Sequence, residues 1–435
     1  MNRCLSVLIL STVFQSVHAQ DTTRLSLLFL GDIMQHDSQI TDAYDRASGS
    51  YDYHPCFKFV KPYTQAVDLA IGNLEVTLAG KPYKGYPQFS APDELLTAIK
   101  DMGLDALVTA NNHCVDRGRE GLERTIDMLD SMNILHTGTF KTQTEKNKGH
   151  PLIIEKSGFR IALLNYTYGT NGLPVTKPNI VNLIDTVAIR KDIMKARSLK
   201  TDAIIVFTHW GTEYESLPSK SQKDVTELCF KYGARLVIGS HPHVLQPMEW
   251  RKKENQLVAY SLGNFVSGQR KQYTDGGAMI RLELEKVKFD DGTTLTGIDT
   301  AGYILEWVYR TNDVQKDYYV LPVPTVEANP SMFIQDVSSR NSFTTFVSDS
   351  RNLFGKYNLH IQELNSAPDY HVKFSATDTV AVRKYLEEHS GLDQIDDRLY
   401  PILNVGPFTY PDARYLEQKI RMQLPVEGLE IRKDE

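Results

Sequence analysis

The chain has 435 residues, of which 41% are hydrophobic and 23% charged, values that are usual for a globular protein larger than one ordinary domain. Its formal net charge of −6 excludes the strongly basic surface that a nucleic-acid-binding protein needs. Membranes, peptides, glycans and small metabolites are left open as partners.

Residues 1–19 have the three parts of a secretory signal peptide. Asn2-Arg3 is a basic start, Leu5–Phe14 is a mostly apolar stretch, and Val17-His18-Ala19 is a small-x-small cleavage site. The apolar stretch is shorter than the ~20 residues that a membrane-spanning helix needs. We therefore expect Gln20 to begin the mature chain, and the protein to be exported to the periplasm or the cell envelope.

Three cysteines follow the signal peptide: Cys56, Cys114 and Cys229. An odd number leaves at least one thiol unpaired, so the chain is not a disulfide scaffold. Because Cys114 directly follows His113, a metal role is open to it. A buried free thiol is the state we expect for such residues.

Apolar runs typical of buried strands alternate with helical patterns along the first 310 residues. The strand-like runs are 25–30, 66–71, 104–110, 202–207, 234–238 and 257–260, with two more strands around the turn Ser157-Gly158 in 151–168. The helical segments are 92–102, 118–133, 185–200 and 219–232, and residues 82–89 read as a loop. Alternating stretches at 277–287 and 302–309 suit antiparallel strands that close the domain. This order predicts an α/β protein with a central sheet.

Five of these runs end in side chains that bind metal ions: Asp32, Glu75, Asn112 with His113, His209, and His241 with His243. Because ligands of open α/β sheets bind at the carboxyl ends of the strands, we expect these residues to share a site at one edge of one sheet. Helix caps and turn residues explain any one of them, but not the whole set.

Carboxylate, amide and imidazole donors without thiolate suit Mn²⁺, Fe²⁺ or Zn²⁺. The donors are sufficient for two ions, which Glu75 could bridge. An imidazole outside the metal shell, such as that of His113, could stabilise developing charge or protonate a leaving group. The residues therefore indicate a metal-dependent hydrolase or a metal-held binding site.

Six short motifs occur in a fixed order: Gly31-Asp32-Ile33-Met34, Gly72-Asn73-Leu74-Glu75, Ala110-Asn111-Asn112-His113, His209-Trp210-Gly211, Gly239-Ser240-His241-Pro242-His243 and Ser261-Leu262-Gly263-Asn264-Phe265. Over residues 24–310 these motifs resemble the bacterial CapA/PgsA family. That family is associated with capsule and poly-γ-glutamate synthesis, and it is related to calcineurin-like metallophosphoesterases. The resemblance implies an α/β sandwich of two sheets flanked by helices.

The resemblance also implies roles for individual residues. Its metal ligands would be Asp32, Glu75, Asn112, His209, His241 and His243. His113 would lie near the leaving group as the catalytic residue, and His36, Asn73, Trp210 and Asn264 would contact the substrate. The sequence departs from the phosphoesterase pattern at Met34, which stands where an Asp-x-His motif has its histidine. His36 is a candidate substitute, and Glu75 stands where the bridging residue is usually Asp.

The character of the chain changes after residue 322. We divide it into a main domain at 20–322, a linker and helical segment at 323–366, and a small α/β module at 367–435. This module has strand patterns at 370–375, 400–408 and 427–433 and helix patterns at 379–389 and 411–422. With Val405-Gly406-Pro407-Phe408, these patterns resemble a SPOR domain, a module that binds peptidoglycan. Tyr370, Phe374 and Tyr400 are then candidate sugar-stacking residues. A generic α/β cap on the main domain is the alternative.

Two functions follow from these features. The first is an exported CapA-type metal-dependent hydrolase of capsule, poly-γ-glutamate or cell-envelope polymer biosynthesis, with a metal-activated water attacking a phosphoester or amide bond. The second is a non-catalytic envelope protein that holds an anionic polymer or peptidoglycan during export or anchoring. The expected partners are an anionic or glycan envelope polymer and a polymer-synthase complex in the membrane, with no nucleic acid.

Overall fold

The computed structural model describes residues 19–312, 317–327 and 329–365 and, beyond them, the backbone of four strands between residues 370 and 433. In chain order, the strands are β1 (Ala19–Ile33), β2 (Tyr44–Asp45), β3 (Ser50–Tyr51), β4 (Leu69–Leu74), β5 (Ala106–Val108), β6 (Leu135–Thr137), β7 (Thr139–Phe140), β8 (Leu152–Lys156), β9 (Phe159–Thr167), β10 (Ile180–Val181), β11 (Ala203–His209), β12 (Leu236–Ser240), β13 (Leu245–Arg251), β14 (Gln256–Leu262), β15 (Asn264–Val266), β16 (Gly276–Phe289), β17 (Thr294–Arg310), β18 (Tyr318–Pro322), β19 (Gln362–Glu363), β20 (Tyr370–Ala376), β21 (Ile395–Asp396), β22 (Ile402–Phe408) and β23 (Val426–Lys433).

The helices lie between these strands and after β18. They are α1 (Asp37–Ala43), α2 (His54–Phe57), α3 (Lys61–Thr64), α4 (Glu94–Met102), α5 (Gly118–Ser131), α6 (Gln143–Gly149), α7 (Thr186–Ser198), α8 (Lys220–Tyr232), α9 (Val323–Val326), α10 (Pro330–Phe333) and α11 (Val337–Tyr357). In the described part of the chain, none of the helices combines the length and the apolar character that crossing a membrane requires.

Two large sheets form the body of the molecule. The first has the order β18-β17-β16-β1-β4-β5-β6, with β15 paired to β1 and β19 to β17. The second has the order β13-β14-β12-β11-β9-β8. In the first sheet β1, β4, β5 and β6 are parallel, and β16, β17 and β18 extend it on one side as antiparallel strands. In the second sheet the four central strands are parallel, and an antiparallel strand lies at each edge, β13 at one and β8 at the other.

One hydrophobic cluster contains alternate residues from both sheets, such as Phe29 and Ile71 of the first and Ile205 and Ile238 of the second. It therefore lies between the sheets. The opposite faces pack against helices, with α4 over the first sheet and α7 and α8 over the second. This confirms the sandwich of two sheets flanked by helices.

The strand pattern predicted one central sheet, and this prediction is wrong because the body has two large sheets. Apolar runs show where strands lie, but they do not show which strands exchange hydrogen bonds. Here the chain leaves the first sheet after β6 and begins the second at β8 and β9. The predicted strands and helices themselves are confirmed, with shifts of a few residues at their ends. The predicted turn at Ser157-Gly158 has both residues at positive φ.

Helix α11 packs against β13 and β17. Its Phe343, Phe346 and Phe354 join the cluster between the sheets, and so do Val323 and Val326 of α9. The chain after residue 322 therefore contributes to the core of the main body. The domain boundaries at 322 and 366 stay predictions.

The last four strands form a sheet of their own, in the order β21-β22-β20-β23. The strands predicted near residues 370, 402 and 427 are present. The helices predicted at 379–389 and 411–422, the side chains of Tyr370, Phe374 and Tyr400, and the signal peptide lie outside what the structure describes. The SPOR-like module therefore stays a prediction.

Candidate metal centre

The predicted ligand residues come together where the carboxyl ends of the two sheets meet. The first sheet brings Asp32 at the end of β1, Glu75 after β4, and Asn112 after β5. The second brings His209 at the end of β11, and His241 and His243 just after β12. The expectation that they share one edge of one sheet is therefore corrected, because the site lies between the two sheets.

Two groups of potential ligands share one residue. Glu75, His209 and His241 form the first group, and Asp32, Glu75 and His243 form the second. In each group the ligand atoms lie within 4.8 Å of one another. Glu75 Oε1 is 3.4 Å from His209 Nε2 and 4.0 Å from His243 Nε2. A carboxylate common to two groups is the arrangement that a bridging ligand requires.

Glu75 has an unusual environment for a carboxylate. It has no solvent exposure, and neither of its oxygens has a hydrogen-bond partner among the described residues. Burial, together with the negative charge of Asp32, raises the pKa of Glu75 well above its usual value. Buried polar groups without partners are rare and costly. Two cations beside these oxygens would remove that cost, so the residues fit a metal centre.

Two of the histidines, His209 and His241, are held in the neutral form that binds metals. Burial lowers the pKa of His209, and repulsion from His241 and His243 lowers it further. Burial and the charge of His243 lower the pKa of His241 to about 3. The Nδ1 atom of His241 is buried and has no hydrogen-bond partner among the described residues. A neutral imidazole keeps a lone pair available for a cation.

The turn that carries His241 and His243 has a strained backbone. Both residues adopt positive φ values, 100° and 59°, which non-glycine residues rarely do. The carbonyl of Pro242 between them accepts the backbone N–H of Tyr214 at 2.8 Å. Such strain persists only where surrounding contacts maintain it, and it is common at functional sites.

Asn73 and Asn264, which were predicted to bind substrate, are completely buried and contact residues of the two potential ligand groups. Asn73 donates from Nδ2 to Asp32 Oδ1 at 2.8 Å. Asn264 Oδ1 lies 3.1 Å from His243 Nδ1, and its amide donates to the carbonyl of Thr274 at 2.8 Å. Both asparagines are therefore positioning residues, of the kind that orients metal ligands.

His113 has a partner that the sequence analysis missed. Its Nδ1 lies 2.8 Å from Asp116 Oδ2, which also accepts the backbone N–H of Phe89 at 2.7 Å. The edge of its ring meets Phe89 with centroids 4.6 Å apart. The charge of His113 also contributes to the lowered pKa of His209. The spacing of three residues between His113 and Asp116 was the available signal.

Trp210 and His36, which were also predicted to contact substrate, have different surroundings. Trp210 is 2% exposed, belongs to the cluster on the helix side of the second sheet, and donates its indole N–H to the Tyr260 carbonyl at 2.9 Å. It is a core residue. His36 accepts the N–H of Gly268 at 3.1 Å, and burial lowers its pKa to about 4. His36 belongs to neither group of potential ligands found among the described residues, and its roles toward metal and substrate stay predictions.

Aromatic side chains that the sequence analysis missed form the rim of the site. Tyr168 is 47% exposed, with its ring 4.5 Å from that of His241. Tyr214 lies with its ring 6.3 Å from that of His243. The ammonium group of Lys271 sits 3.5 Å from the centre of the Tyr214 ring. These side chains therefore lie next to the residues of the two potential ligand groups.

Comparison with known proteins identifies the family. Residues 26–269, more than half of the chain, match the family model described as "Bacterial capsule synthesis protein PGA_cap". The chain belongs to this family. The PGA_cap match spans β1 to β15 and includes all of the predicted ligand residues.

Two relatives match this PGA_cap protein over similar lengths of its sequence. The capsule biosynthesis protein CapA of Bacillus anthracis is 30% identical over 296 residues, which cover 65% of this chain and 68% of that protein. The PGA biosynthesis protein CapA of Bacillus subtilis (strain 168) is 29% identical over 274 residues, covering 60% and 68%.

Solved structures give weaker matches. The calcineurin-like phosphoesterase YfkN of Bacillus subtilis is 14% identical with a TM-score of 0.40, and it covers 66% of this chain and 91% of its own. A phosphatase of Mycoplasma pneumoniae is 17% identical with a TM-score of 0.38, covering 66% and 95%. Scores of this size add nothing to the family assignment, which depends on the sequence match.

Proposed function

We propose that this PGA_cap protein is an exported, metal-dependent hydrolase that cleaves a phosphoester or amide bond of a cell-envelope polymer. The environment of Glu75 carries the proposal. Its carboxylate is buried, has no hydrogen-bond partner among the described residues, and belongs to both groups of potential ligands. Burying such a carboxylate without a partner is costly, and cations held by the two groups of potential ligands would remove that cost.

The donor set indicates which cations fit. Carboxylate oxygens and imidazole nitrogens, without any thiolate in either group, suit Mn²⁺, Fe²⁺ or Zn²⁺. Asp32, Glu75, His209, His241 and His243 would hold them, and Asn112 Oδ1 is placed to join the shell beside His209, whose Nε2 it approaches to 2.7 Å. When bound, two such ions lower the pKa of a water molecule and polarise the bond under attack.

The protein's own groups supply the remaining chemistry. Asn73 and Asn264 keep Asp32 and His243 in place through the hydrogen bonds described above. Asp116 holds the Nδ1 side of His113, which leaves Nε2 to give a proton to the leaving oxygen or nitrogen. The same carboxylate stabilises the imidazolium form that must exist before this transfer.

The relatives support the choice of substrate class. Their names place them in capsule biosynthesis and in PGA biosynthesis. By this likeness, the substrate would be an envelope polymer such as a capsular glycan or poly-γ-glutamate, and a polymer-synthase complex of the membrane would be the partner. The signal-peptide pattern of residues 1–19 supports export to the periplasm or the envelope.

Elemental analysis of residues 20–435, with turnover of a chromogenic phosphodiester and a γ-glutamyl anilide, tests the proposal. We expect about two metal ions per chain, as in other two-metal sites. Asp32→Ala and His243→Ala should lose metal, whereas His113→Gln should keep it and lose turnover by a factor of about 10²–10⁴. A wild-type chain that takes up no Mn²⁺ or Zn²⁺ would refute the hydrolase. Metal uptake and tight polymer binding without turnover would favour the non-catalytic envelope protein.

A further inference from the structure

A cavity of about 230 Å³ has several wall residues that are near neighbours in the chain of the candidate metal centre. Val244, which directly follows His243, lines the cavity, and so does Ser216, two residues after Tyr214. Tyr273 also lines it, and the carbonyl of the neighbouring Thr274 accepts a hydrogen bond from Asn264. The cavity walls are therefore linked to the potential ligand His243 in two ways, through the chain at Val244 and through the hydrogen bonds of Asn264.

Helix α11 forms one wall of the cavity. Phe346, Asp349, Ser350 and Leu353 all line it, at spacings of three, four and seven residues from Phe346. Residues at these spacings lie on one face of a helix. This face is also the one that packs on the body of the protein, since Phe346 belongs to the cluster between the sheets. The position of α11 is therefore fixed, and the cavity is a built feature of the fold.

We propose that this cavity is a subsite for one neutral sugar unit of the substrate, an inference that rests on the proposed function for its place beside the reacting bond. The first reason is the shape of its apolar surface. Tyr273 is 42% exposed and is held at a φ of 70°, while Val244 and Leu353 add aliphatic surface. An exposed aromatic face of this kind binds the apolar face of a ring.

The second reason is the polar lining, which has unused hydrogen-bonding capacity. Ser216, Asp349, Ser350 and Asn352 line the cavity, and within the part of the chain that the structure describes none of their side chains has a hydrogen-bond or ion-pair partner. Ser350 is unpartnered although it is only 6% exposed. Hydroxyl, carboxylate and amide groups together can pair with the hydroxyl groups around a sugar ring.

The third reason is charge and size. Asp349 is the only charged side chain among the described residues that line the cavity. A γ-linked glutamate chain would place its carboxylates against it at an electrostatic cost, whereas sugar hydroxyls would donate to it. Pockets for drug-sized ligands are about 300–1,000 Å³, so this smaller cavity suits a single ring.

Direct binding measurements test the subsite. Titration calorimetry and saturation-transfer NMR would use residues 20–435 with neutral tetrasaccharides of glucose, galactose, mannose and N-acetylglucosamine, and with a γ-glutamate oligomer. We expect at least one tetrasaccharide to bind, and its Kd to rise about tenfold in Tyr273→Asn and in Asp349→Asn. Asparagine tolerates the positive φ of position 273. Tyr44→Asn is the matched control, because Tyr44 is 39% exposed and does not line this cavity.

Three outcomes would overturn the inference. These are no binding of any neutral tetrasaccharide, binding that both variants leave unchanged, or binding of the γ-glutamate oligomer that Asp349→Asn strengthens. Sugar binding would be measured with and without EDTA, beside the metal content of the same samples. If the wild-type chain holds no metal but still binds sugar, the hydrolase proposal fails and the subsite proposal stands. If the chain holds metal and is active but binds no sugar, the subsite proposal fails and the hydrolase proposal stands.

Discussion

The Oδ1 atom of Asn112 lies 2.7 Å from Nε2 of His209, and this contact joins the ends of the two sheets. Asn112 follows β5 of the first sheet, and His209 ends β11 of the second. The same nitrogen lies 3.4 Å from Oε1 of Glu75. The candidate metal centre therefore exists only because the two sheets dock in one relative position.

Replacing Glu75 tests whether its unpartnered carboxylate serves a cation. Saturation with Mn²⁺ should stabilise the wild-type chain by about 2.7 kcal/mol at 100 times Kd, and Glu75→Gln should lose most of this gain. The measurement is Tm with and without Mn²⁺. Glu306→Gln is the matched control, because Glu306 is also buried and, within the described residues, neither of its oxygens has a partner and it belongs to neither group of potential ligands. An equal response to Mn²⁺ in the two variants would contradict the metal centre.

Asp116 should matter to turnover through His113. Asp116→Asn removes the carboxylate that lies 2.8 Å from His113 Nδ1, so we expect kcat to fall at least tenfold with little change in KM or metal content. Steady-state kinetics and elemental analysis would measure this. Asp130→Asn is the control, since Asp130 forms a similar pair with His136, at 3.0 Å, on the surface. A fall in metal content that matches the fall in kcat would instead show that Asp116 maintains the site.

Gly239 should tolerate no side chain. A Cβ atom there would lie 2.0 Å from the Tyr260 carbonyl oxygen and 2.6 Å from Trp210 Nε1. Gly239→Ala should therefore lower the free energy of unfolding by about 3 kcal/mol, as overpacking of cores does. Gly355→Ala is the control in α11, where nothing lies within 4 Å, and it should raise stability by about 0.5–1 kcal/mol. Urea unfolding of both variants checks this, and equal midpoints would contradict it.

Asp42 should make stability depend on pH. Burial raises the pKa of Asp42 to about 7 and the nearby Asp317 adds to the shift, although Asp42 accepts the N–H of Tyr318. The folded chain then keeps a proton that the unfolded chain releases near the ordinary value of 3.8. Stability from this group is present at low pH and is lost as pH rises through about 7.

The matching measurement is Tm at intervals from pH 4 to 8. The Tm of Asp42→Asn minus that of the wild type should grow up to about pH 7 and then level off. Asp45→Asn should follow the wild type over this range, because the hydroxyl of Ser48 and nearby backbone N–H groups lower the pKa of Asp45. A difference for Asp42→Asn that stays constant with pH would contradict the raised pKa.

Much of the local structure was predictable from short patterns. The apolar runs that end in Asp32, Glu75 and His209 are strands, and the motif after residue 238 does carry two histidines to one site. Residue type and strand ends were sufficient for these predictions, because buried parallel strands are apolar throughout and donors follow them. The second sheet was predicted from the family resemblance and not from these patterns.

Side-chain direction was the main source of error. Trp210 directly follows His209, and successive residues of a strand point to opposite faces. His209 therefore faces the site, while Trp210 packs under the helices on the other face. Asn73 and Asn264 lie in motifs that form the site, and only the structure shows that they contact Asp32 and His243. Their contact with substrate stays a prediction.

Periodicity, residue chemistry and order along the chain were sufficient to predict the elements, the donor set and the family. Three features became visible only in the folded molecule: the donors come from two sheets, Glu75 belongs to both groups of ligands without a hydrogen-bond partner among the described residues, and α11 lines a cavity whose wall residue Val244 follows His243. Each of these depends on contacts between residues far apart in the chain. Such contacts follow from how sheets and helices pack, which no local pattern encodes.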